Sequence, residues 1–184
     1  MSIRTSTRLA AVILATTMPL AACVDQQEDP IGDETSQNLE ESVESKVNDK
    51  PTFNVEETDP KVTDELTGKS VKDPAMELSY KWQGTSSTGV GTVVVIAVTN
   101  TSDAPLPVDA LKPELRYSTD GSSYTDATYI SNAEKAQVDV VGIDMPLGPG
   151  ATTNAKFPFE VAQGNLWDAE FTVGNVTFKG NLSY

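Results

Sequence analysis

The chain of 184 residues contains no histidine and one cysteine, Cys23. Without histidine it cannot form a Ser-His-Asp triad, a Cys-His pair or an imidazole metal site. With a single cysteine it cannot form an internal disulfide, a CxxC redox pair or a zinc site made of thiolates. Positive charge is also scarce, since 13 Lys and Arg stand against 27 Asp and Glu, a formal net charge of −14. We therefore expect no nucleic-acid partner, because binding to phosphates needs a basic surface.

The charge divides the chain into three parts. Residues 1–22 carry two arginines and no acid, residues 24–75 carry 15 acids and five lysines, and residues 76–184 carry 12 acids and six bases. We interpret 1–22 as a signal peptide, 23–75 as an acidic tether that begins with the cysteine, and 76–184 as one folded domain. A domain of 109 residues is long enough to bury a hydrophobic core of its own.

The first 15 residues are typical of a secretory signal. Arg4 and Arg8 supply positive charge, and Leu9–Ala15 is an apolar run of seven residues. A helix that spans a membrane needs about 20 apolar residues, so this run indicates an export signal rather than a membrane-spanning anchor.

The residues that end this signal carry a more specific pattern. They resemble, at every position, the lipobox of bacterial lipoproteins: Leu20-Ala21-Ala22-Cys23. The resemblance implies cleavage between Ala22 and Cys23, a diacylglycerol on the thioether of Cys23, and a further acyl chain such as palmitate on its new amine. Because each acyl CH₂ that enters a membrane contributes about 0.8 kcal/mol, two or more chains anchor stably, and we expect an outward-facing lipoprotein of the cell membrane. The alternative is an ordinary signal-peptidase site of the Ala-x-Ala type, followed by an incidental free cysteine.

The stretch Val24–Ala75 has the composition of a disordered tether. It combines many acids and four prolines with a single aromatic residue, Phe53, and so cannot bury enough apolar surface to offset the entropy of ordering. As a flexible coil, its 52 residues would span about 40 Å. The alternative is a short helix at Ser36–Val47, whose three apolar residues share one face, although isolated helices of this length are marginal in water.

Residues 76–184 show the alternation of β-strands. Met76, Leu78, Tyr80 and Trp82 alternate with polar residues, which predicts a half-buried strand that places Trp82 in the core. The β-branched run Thr92–Thr99 predicts a central strand that is covered on both faces.

The later part of this region predicts further short strands. Expected strands contain Leu115 and Tyr117, then Val138 and Val140, then Ala155–Val161, where Pro158 removes a ladder donor and indicates either an edge strand or a bulge. Two dipeptides predict hairpin turns, because Gly adopts a positive φ freely: Asp120-Gly121 and Gly174-Asn175. No segment has a sustained helical period, so we predict an all-β fold, an antiparallel sandwich or barrel.

Several of these turns and strands also resemble the telokin-like domain, an immunoglobulin-fold family found on bacterial lipoproteins and secreted proteins, including immunodominant mycobacterial antigens. The residues that carry the resemblance are Thr92–Ser102, Leu115–Tyr124, Leu147–Thr152 and Phe157–Val161. It implies an antiparallel immunoglobulin-like β-sandwich over about residues 76–184. The family has no shared catalytic residues, so the resemblance implies a fold and a surface location rather than a reaction.

Few side chains suggest chemistry. Asp139 and Asp144 do not form an evident catalytic pair, and no Ser-Lys dyad is evident. Calcium needs six to eight oxygens, and four scattered acids without an Asp-x-Asp run do not supply them: Asp103, Asp109, Asp120 and Asp126. We expect no metal and no cofactor. Trp167 follows Gly164-Asn165-Leu166 and is either an exposed aromatic contact or, as we expect, a cap on one end of the sandwich.

These observations favour a binding protein rather than an enzyme. We expect a lipid-anchored, immunoglobulin-like domain of the cell envelope that binds a protein or glycan through its edges or loops. One alternative is an accessory subunit of an envelope transporter or sensor, for which the anchor supplies local concentration. Another is an enzyme that cleaves glycans with two carboxylates about 5–10 Å apart.

Overall fold

The computed structural model describes residues 50–184. The predicted signal peptide, the cleavage site between Ala22 and Cys23, the lipidated Cys23 and the alternative helix at Ser36–Val47 lie outside the described residues. No helix within residues 50–184 has the length and apolar character needed to cross a membrane.

Strands dominate the described part of the chain, as their bounds show: β1 Lys61–Thr63, β2 Ser70–Lys72, β3 Leu78–Ser87, β4 Thr92–Asn100, β5 Pro113–Tyr117, β6 Thr125–Asp126, β7 Thr152–Phe159, β8 Ala169–Val173 and β9 Val176–Gly180. Two short helices interrupt them, α1 at Ala133–Ala136 and a 3₁₀ helix at Gln163–Trp167. The predicted all-β class is therefore confirmed.

The strands form two sheets. One has five strands in the order β1-β9-β8-β5-β6, and the other has four in the order β2-β3-β4-β7. Neighbouring strands run antiparallel in both sheets, apart from β1, which runs parallel to β9.

A single hydrophobic core joins the inward faces of the two sheets. The Trp82 ring on β3 lies 5.7 Å from the Phe178 ring and 6.3 Å from the Phe171 ring of the opposite sheet. The ring of Phe157, on β7 of the same sheet as Trp82, lies 5.8 Å from the Phe171 ring. These contacts across the sheets bury Trp82, as its register with Leu78 and Tyr80 predicts.

The two strongest strand predictions are confirmed. β3 alternates between buried and accessible residues from Leu78 to Gln83. β4 lies between β3 and β7, as predicted for a central strand; its inward face is fully buried, whereas Val95 and Thr99 on the other face are partly exposed. A β-branched run suits such a position because its stiff side chains pack well on a pleated surface.

β7 is an edge strand, as Pro158 indicates. Within its sheet it pairs with β4, and Pro158 stands opposite Val93. Bridges from Tyr129 to Phe159 and from Gly142 to Lys156 cover part of its other edge. Partial covering of this kind protects an edge from pairing with another chain.

The predicted strand at Val138 and Val140 is wrong. α1 ends just before it, and Gln137 caps the helix with a left-handed backbone at φ 58°. The N–H of Val138 donates to the Ala133 carbonyl, so this backbone closes the helix instead of extending along a neighbour. Two alternating valines are too short a pattern to outweigh that local turn.

The folded region begins before the predicted boundary at Met76. β1 pairs with β9 and β2 pairs with β3, so both strands belong to the sheets. Phe53 and Val71 are buried in the main core. Residues 50–75 are therefore part of the folded region despite their acidic composition. Their few apolar side chains are buried against the rest of the domain.

Candidate functional site

The two ends of the molecule carry different features. β8 runs from Ala169 to Val173, so Trp167 precedes it at one end and the turn at Gly174 and Asn175 follows it at the other. We call these the Trp167 end and the Asn175 end. The β5–β6 loop, residues 118–124, lies at the Trp167 end because Tyr117 pairs with Ala169.

A buried carboxylate organises the Asn175 end. Both oxygens of Asp73 accept hydrogen bonds, from the Tyr80 hydroxyl at 3.2 Å and from the backbone and side-chain nitrogens of Asn175, each at 2.9 Å. The backbone N–H groups of Ala75 and Met76 donate to it as well. Burial alone would raise the pKa of Asp73, but these hydrogen bonds outweigh it and lower the pKa. The same burial, with the Asp73 charge, raises the pKa of Tyr80.

Asn175 also holds the N-terminal segment of the folded region. Its side chain donates to the Glu56 carbonyl and accepts from the N–H of Thr58, both at 2.8 Å. Its backbone carbonyl accepts from the N–H of Lys61 at 2.8 Å, where β1 begins. The chain therefore enters the domain at the Asn175 end. The predicted two-residue hairpin turn at Gly174-Asn175 is confirmed, and it also serves as this attachment point.

Asn100, the last residue of β4, has a structural role. Asn100 is fully buried, and its amide donates to the carbonyls of Ala104 at 2.7 Å and Leu147 at 2.8 Å. Its oxygen accepts from the N–H and hydroxyl of Ser102. These bonds saturate Asn100, so it orders two loops rather than binding a ligand.

An open cleft of about 640 Å³ lies at the Trp167 end. The β3–β4 turn forms one wall, and residues 160–163 form the other. Ser87 and Thr88 line it with hydroxyls, Gln163 with an amide, and Val90 with an exposed apolar side chain. Glu160 is the one ionisable side chain that lines this cleft in the described structure.

Hydrogen bonds tie the two walls of the cleft together. The Gln163 amide nitrogen donates to the hydroxyl of Thr85 at 3.0 Å, and its oxygen accepts from the Ser87 hydroxyl at 2.6 Å. The side chain of Gln163 therefore links the 3₁₀ helix to β3. This link predefines the shape of the cleft before any ligand binds.

Trp167 stands at the last position of the 3₁₀ helix, whose first residue, Gln163, lines the cleft. About half of its side chain, 47%, is exposed. The preceding residue, Leu166, is fully buried, and its carbonyl accepts from the N–H of Leu182 at 2.7 Å. A Cβ on Gly121 would lie 3.6 Å from the outer edge of the indole, so the ring partly caps the β5–β6 loop. The expected capping role is thus present, although the residue remains partly exposed.

The β5–β6 loop is held by its own side chains. Asp120 accepts from the N–H groups of Ser122 at 2.8 Å and Ser123 at 2.9 Å, and these bonds lower its pKa. The predicted hairpin at Asp120-Gly121 exists, but seven residues join β5 to β6 instead of a two-residue turn. Asp120 supports an Asx-type turn inside that longer loop.

A polar cluster continues from this loop onto the outer face of the five-stranded sheet. The Tyr124 hydroxyl donates to Asp168 at 2.7 Å, and this hydrogen bond raises the pKa of Tyr124. Arg116 and Lys179 each lie 5.5 Å from the Tyr124 ring centre. Both cations also pair with Glu170. The cluster holds Asp168, and with it the backbone that follows Trp167, in place.

The carboxylates considered from the sequence do not assemble into one site. Asp139 pairs with Lys156 at 2.6 Å, and Asp126 pairs with Arg116 at 3.3 Å. Asp120 lies at the Trp167 end, whereas Asp103 follows β4 at the opposite end. Within residues 50–184 no group of three or more Cys, Asp or Glu side chains is placed to hold a metal ion.

The role of these features has to be inferred from their geometry. No protein-family model, curated protein or solved structure matches the chain. Sequence reasoning singled out Trp167 but missed the cleft at the same end of the domain, because the cleft joins a turn to a segment that lies about 70 residues further along the chain.

Proposed function

We propose that this protein is a cell-envelope lipoprotein that is anchored through Cys23 and presents a binding domain outside the cytoplasmic membrane. The lipobox supports the anchor, since the one cysteine of the chain stands at the position that lipidation requires. The observation that carries the binding role is the placement of two features at opposite ends: the chain enters at the Asn175 end, and the cleft with the exposed Trp167 lies at the other.

We propose further that the domain is an immunoglobulin-like sandwich. In one sheet β3, β4 and β7 stand in the spatial order of immunoglobulin strands A, B and E, and in the other β5, β8 and β9 stand in the order of C, F and G. The chain crosses between the sheets after β4, returns before β7 and crosses again before β8, as such a sandwich requires. Cohesion comes from the core that both sheets share, because a chain with one cysteine has no intersheet disulfide.

The tether is shorter in this proposal than the charge pattern predicts. If ordering begins near Phe53, residues 24–52 remain between the lipid and the domain, and a coil of that length spans about 30 Å. Residues 24–49 carry nine acids and one lysine, so self-repulsion would extend them further. Such a spacer would let the Trp167 end face away from the membrane.

Binding fits the cleft better than catalysis does. A glycosidase that uses carboxylates needs two of them flanking the bond that is cleaved. Glu160 alone supplies a carboxylate to the cleft within the described residues. Hydroxyl, amide and apolar groups make up the rest, and these are groups that bind and orient a ligand.

The anchor is tested with Cys23→Ser in the native host. We expect wild-type protein in the membrane fraction, released by detergent, and the variant either unprocessed or free in the medium. Ser36→Ala, in the tether, is the matched control and should fractionate as wild type does. Normal processing and membrane retention of the Cys23 variant would refute lipid anchoring.

A further inference from the structure

We propose that the N-terminal attachment of the domain resists tension on the lipid anchor. The device consists of β1, its parallel partner β9, and the hydrogen bonds that join Asn175 to the segment before β1. This inference rests on the proposed function, since tension reaches the domain from this side only if the chain is anchored through Cys23. It goes beyond that function because it names what keeps the domain folded while a bound partner pulls on it.

The two ends of the described chain lie at opposite ends of the domain. The N-terminal segment arrives at the Asn175 end, where the carbonyl of Glu56 accepts a hydrogen bond from Asn175. The C-terminal residues follow β9, which starts beside Asn175 and ends with Gly180 at the Trp167 end. The open cleft lies at that end too. Tension between the anchor and the Trp167 end therefore acts along the strands.

The parallel pairing of β1 with β9 converts this tension into shear. Both strands start at the Asn175 end, with Lys61 beside Val176 and Thr63 beside Phe178. Tension from the anchor pulls β1 back along its own axis, whereas tension from the Trp167 end pulls β9 in the opposite direction. Because the hydrogen bonds of a parallel pair run from strand to strand, all of them must stretch together before β1 can slide.

Asn175 adds hydrogen bonds at the point where the tension enters. Its side chain accepts from the N–H of Thr58 and donates to the carbonyl of Glu56, and its backbone carbonyl accepts from the N–H of Lys61, each at 2.8 Å. Asn175 is itself buried and held by Asp73, which binds its backbone and side-chain nitrogens. Water therefore has little access to replace these bonds, and tension meets them before it reaches the rest of β1.

β2 is not placed to bear the same tension. It runs antiparallel to β3 and ends with Lys72, next to Asp73 at the Asn175 end, so its first residue, Ser70, lies farther from that end. Once β1 has left β9, the pull reaches β2 at Ser70 and opens its hydrogen bonds one at a time towards Lys72. Resistance is therefore concentrated in β1 and in the bonds of Asn175.

The test is single-molecule force spectroscopy of the full mature chain, held by the free thiol of unlipidated Cys23 and pulled in two directions. One second handle is Tyr184→Cys, beyond β9 at the Trp167 end. The other is Asp109→Cys, an exposed residue of the loop that enters β5 at the Asn175 end. We expect an unfolding force about twofold higher in the first direction, because forced unfolding follows the barrier on the path that is pulled and the second direction peels β1 from its first residue.

Two variants should weaken the first direction. Asn175→Ala removes the side-chain bonds to the segment, and Lys61→Pro removes the N–H that donates to the Asn175 carbonyl, at a strand start where proline is otherwise tolerated. Under constant force we expect Asn175→Ala to raise the unfolding rate about tenfold and Lys61→Pro about threefold, with little change in the Asp109→Cys direction. Asn154→Ala, at an exposed position of β7, is the matched control and should unfold as wild type does.

Two results would overturn the inference. One is an equal unfolding force in the two directions, because resistance would then not depend on the orientation of β1. The other is a Lys61→Pro chain that unfolds under tension at the wild-type rate; this variant keeps the Asn175 side chain, so it decides the matter even if Asn175→Ala fails to fold. Neither result depends on lipid, and membrane fractionation of the Cys23 variant tests the anchor separately, so the anchor can stand when the device fails.

Discussion

At the residue scale, the most constrained position is Asp73. Five hydrogen bonds converge on its carboxylate, from its own turn, from β3 and from the β8–β9 turn. No pattern in the sequence marks it, because Asn175 is 102 residues away and Asp73 sits in an acidic stretch where most acids are solvated. Its depressed pKa makes the attachment of the N-terminal segment depend on pH.

Asp73→Asn should lower the free energy of unfolding by about 2–4 kcal/mol at pH 7, because an amide NH₂ would face the donors of Asn175. A folded pKa below the unfolded value of about 3.9 stabilises the protein above that pH and ceases to do so as pH falls towards the folded pKa. Urea denaturation should therefore show the difference between wild type and variant shrinking below about pH 4. Exposed Asp109→Asn is the control, and an equal loss there would contradict the assignment.

Gly174 is the second constrained residue. It has a φ of +55°, and a Cβ there would lie 2.2 Å from the Tyr80 hydroxyl. Gly150 has a similar φ of +70°, but a Cβ there would meet nothing within 4 Å. We expect Gly150→Ala to cost about 1 kcal/mol from backbone strain, and Gly174→Ala to cost about 1–3 kcal/mol more from the clash. Equal midpoints in urea for the two variants would show that the close approach is not real.

At the scale of elements, β1 and β2 show that short strands can belong to a domain without a sequence signal of their own. Each has three residues, and neither Lys61–Thr63 nor Ser70–Lys72 offers a hydrophobic run. They order because β9 and β3 present strand edges that they can pair with. The failed strand at Val138 and Val140 is the converse case, in which a suggestive pattern lost to a helix cap.

Deletion of residues 53–75 should destabilise the domain strongly, whereas deletion of residues 24–49 should not. The first deletion removes two strands and two buried apolar side chains, Phe53 and Val71, which together contribute about 4 kcal/mol. It also leaves the N–H and side-chain amide of Asn175 without Asp73. Thermal unfolding compares the two deletions, and a chain beginning at Met76 that melts with the wild type would restore the predicted domain boundary.

At the scale of the whole molecule, the main feature is that the two ends of the domain differ. At one end Asn175 binds both the incoming chain and Asp73. The other keeps an open cleft and a half-exposed tryptophan on a rigid support. This division agrees with the proposed arrangement, in which the protein is anchored from one end and binds at the other.

Local sequence patterns were enough to predict the all-β class, strands β3, β4 and β7, and the β8–β9 hairpin. These features follow from alternation, β-branched runs, proline and glycine within a few neighbouring residues. Such local preferences act on the backbone independently of which distant segments pack against it. The complete fold was needed to show that Phe53 and Val71 join the core, that Asn175 binds Asp73, and that a cleft forms between the β3–β4 turn and residues 160–163. Each of these depends on surfaces contributed by segments far apart in the chain, and their burial and hydrogen bonding arise only when the two sheets close over one core.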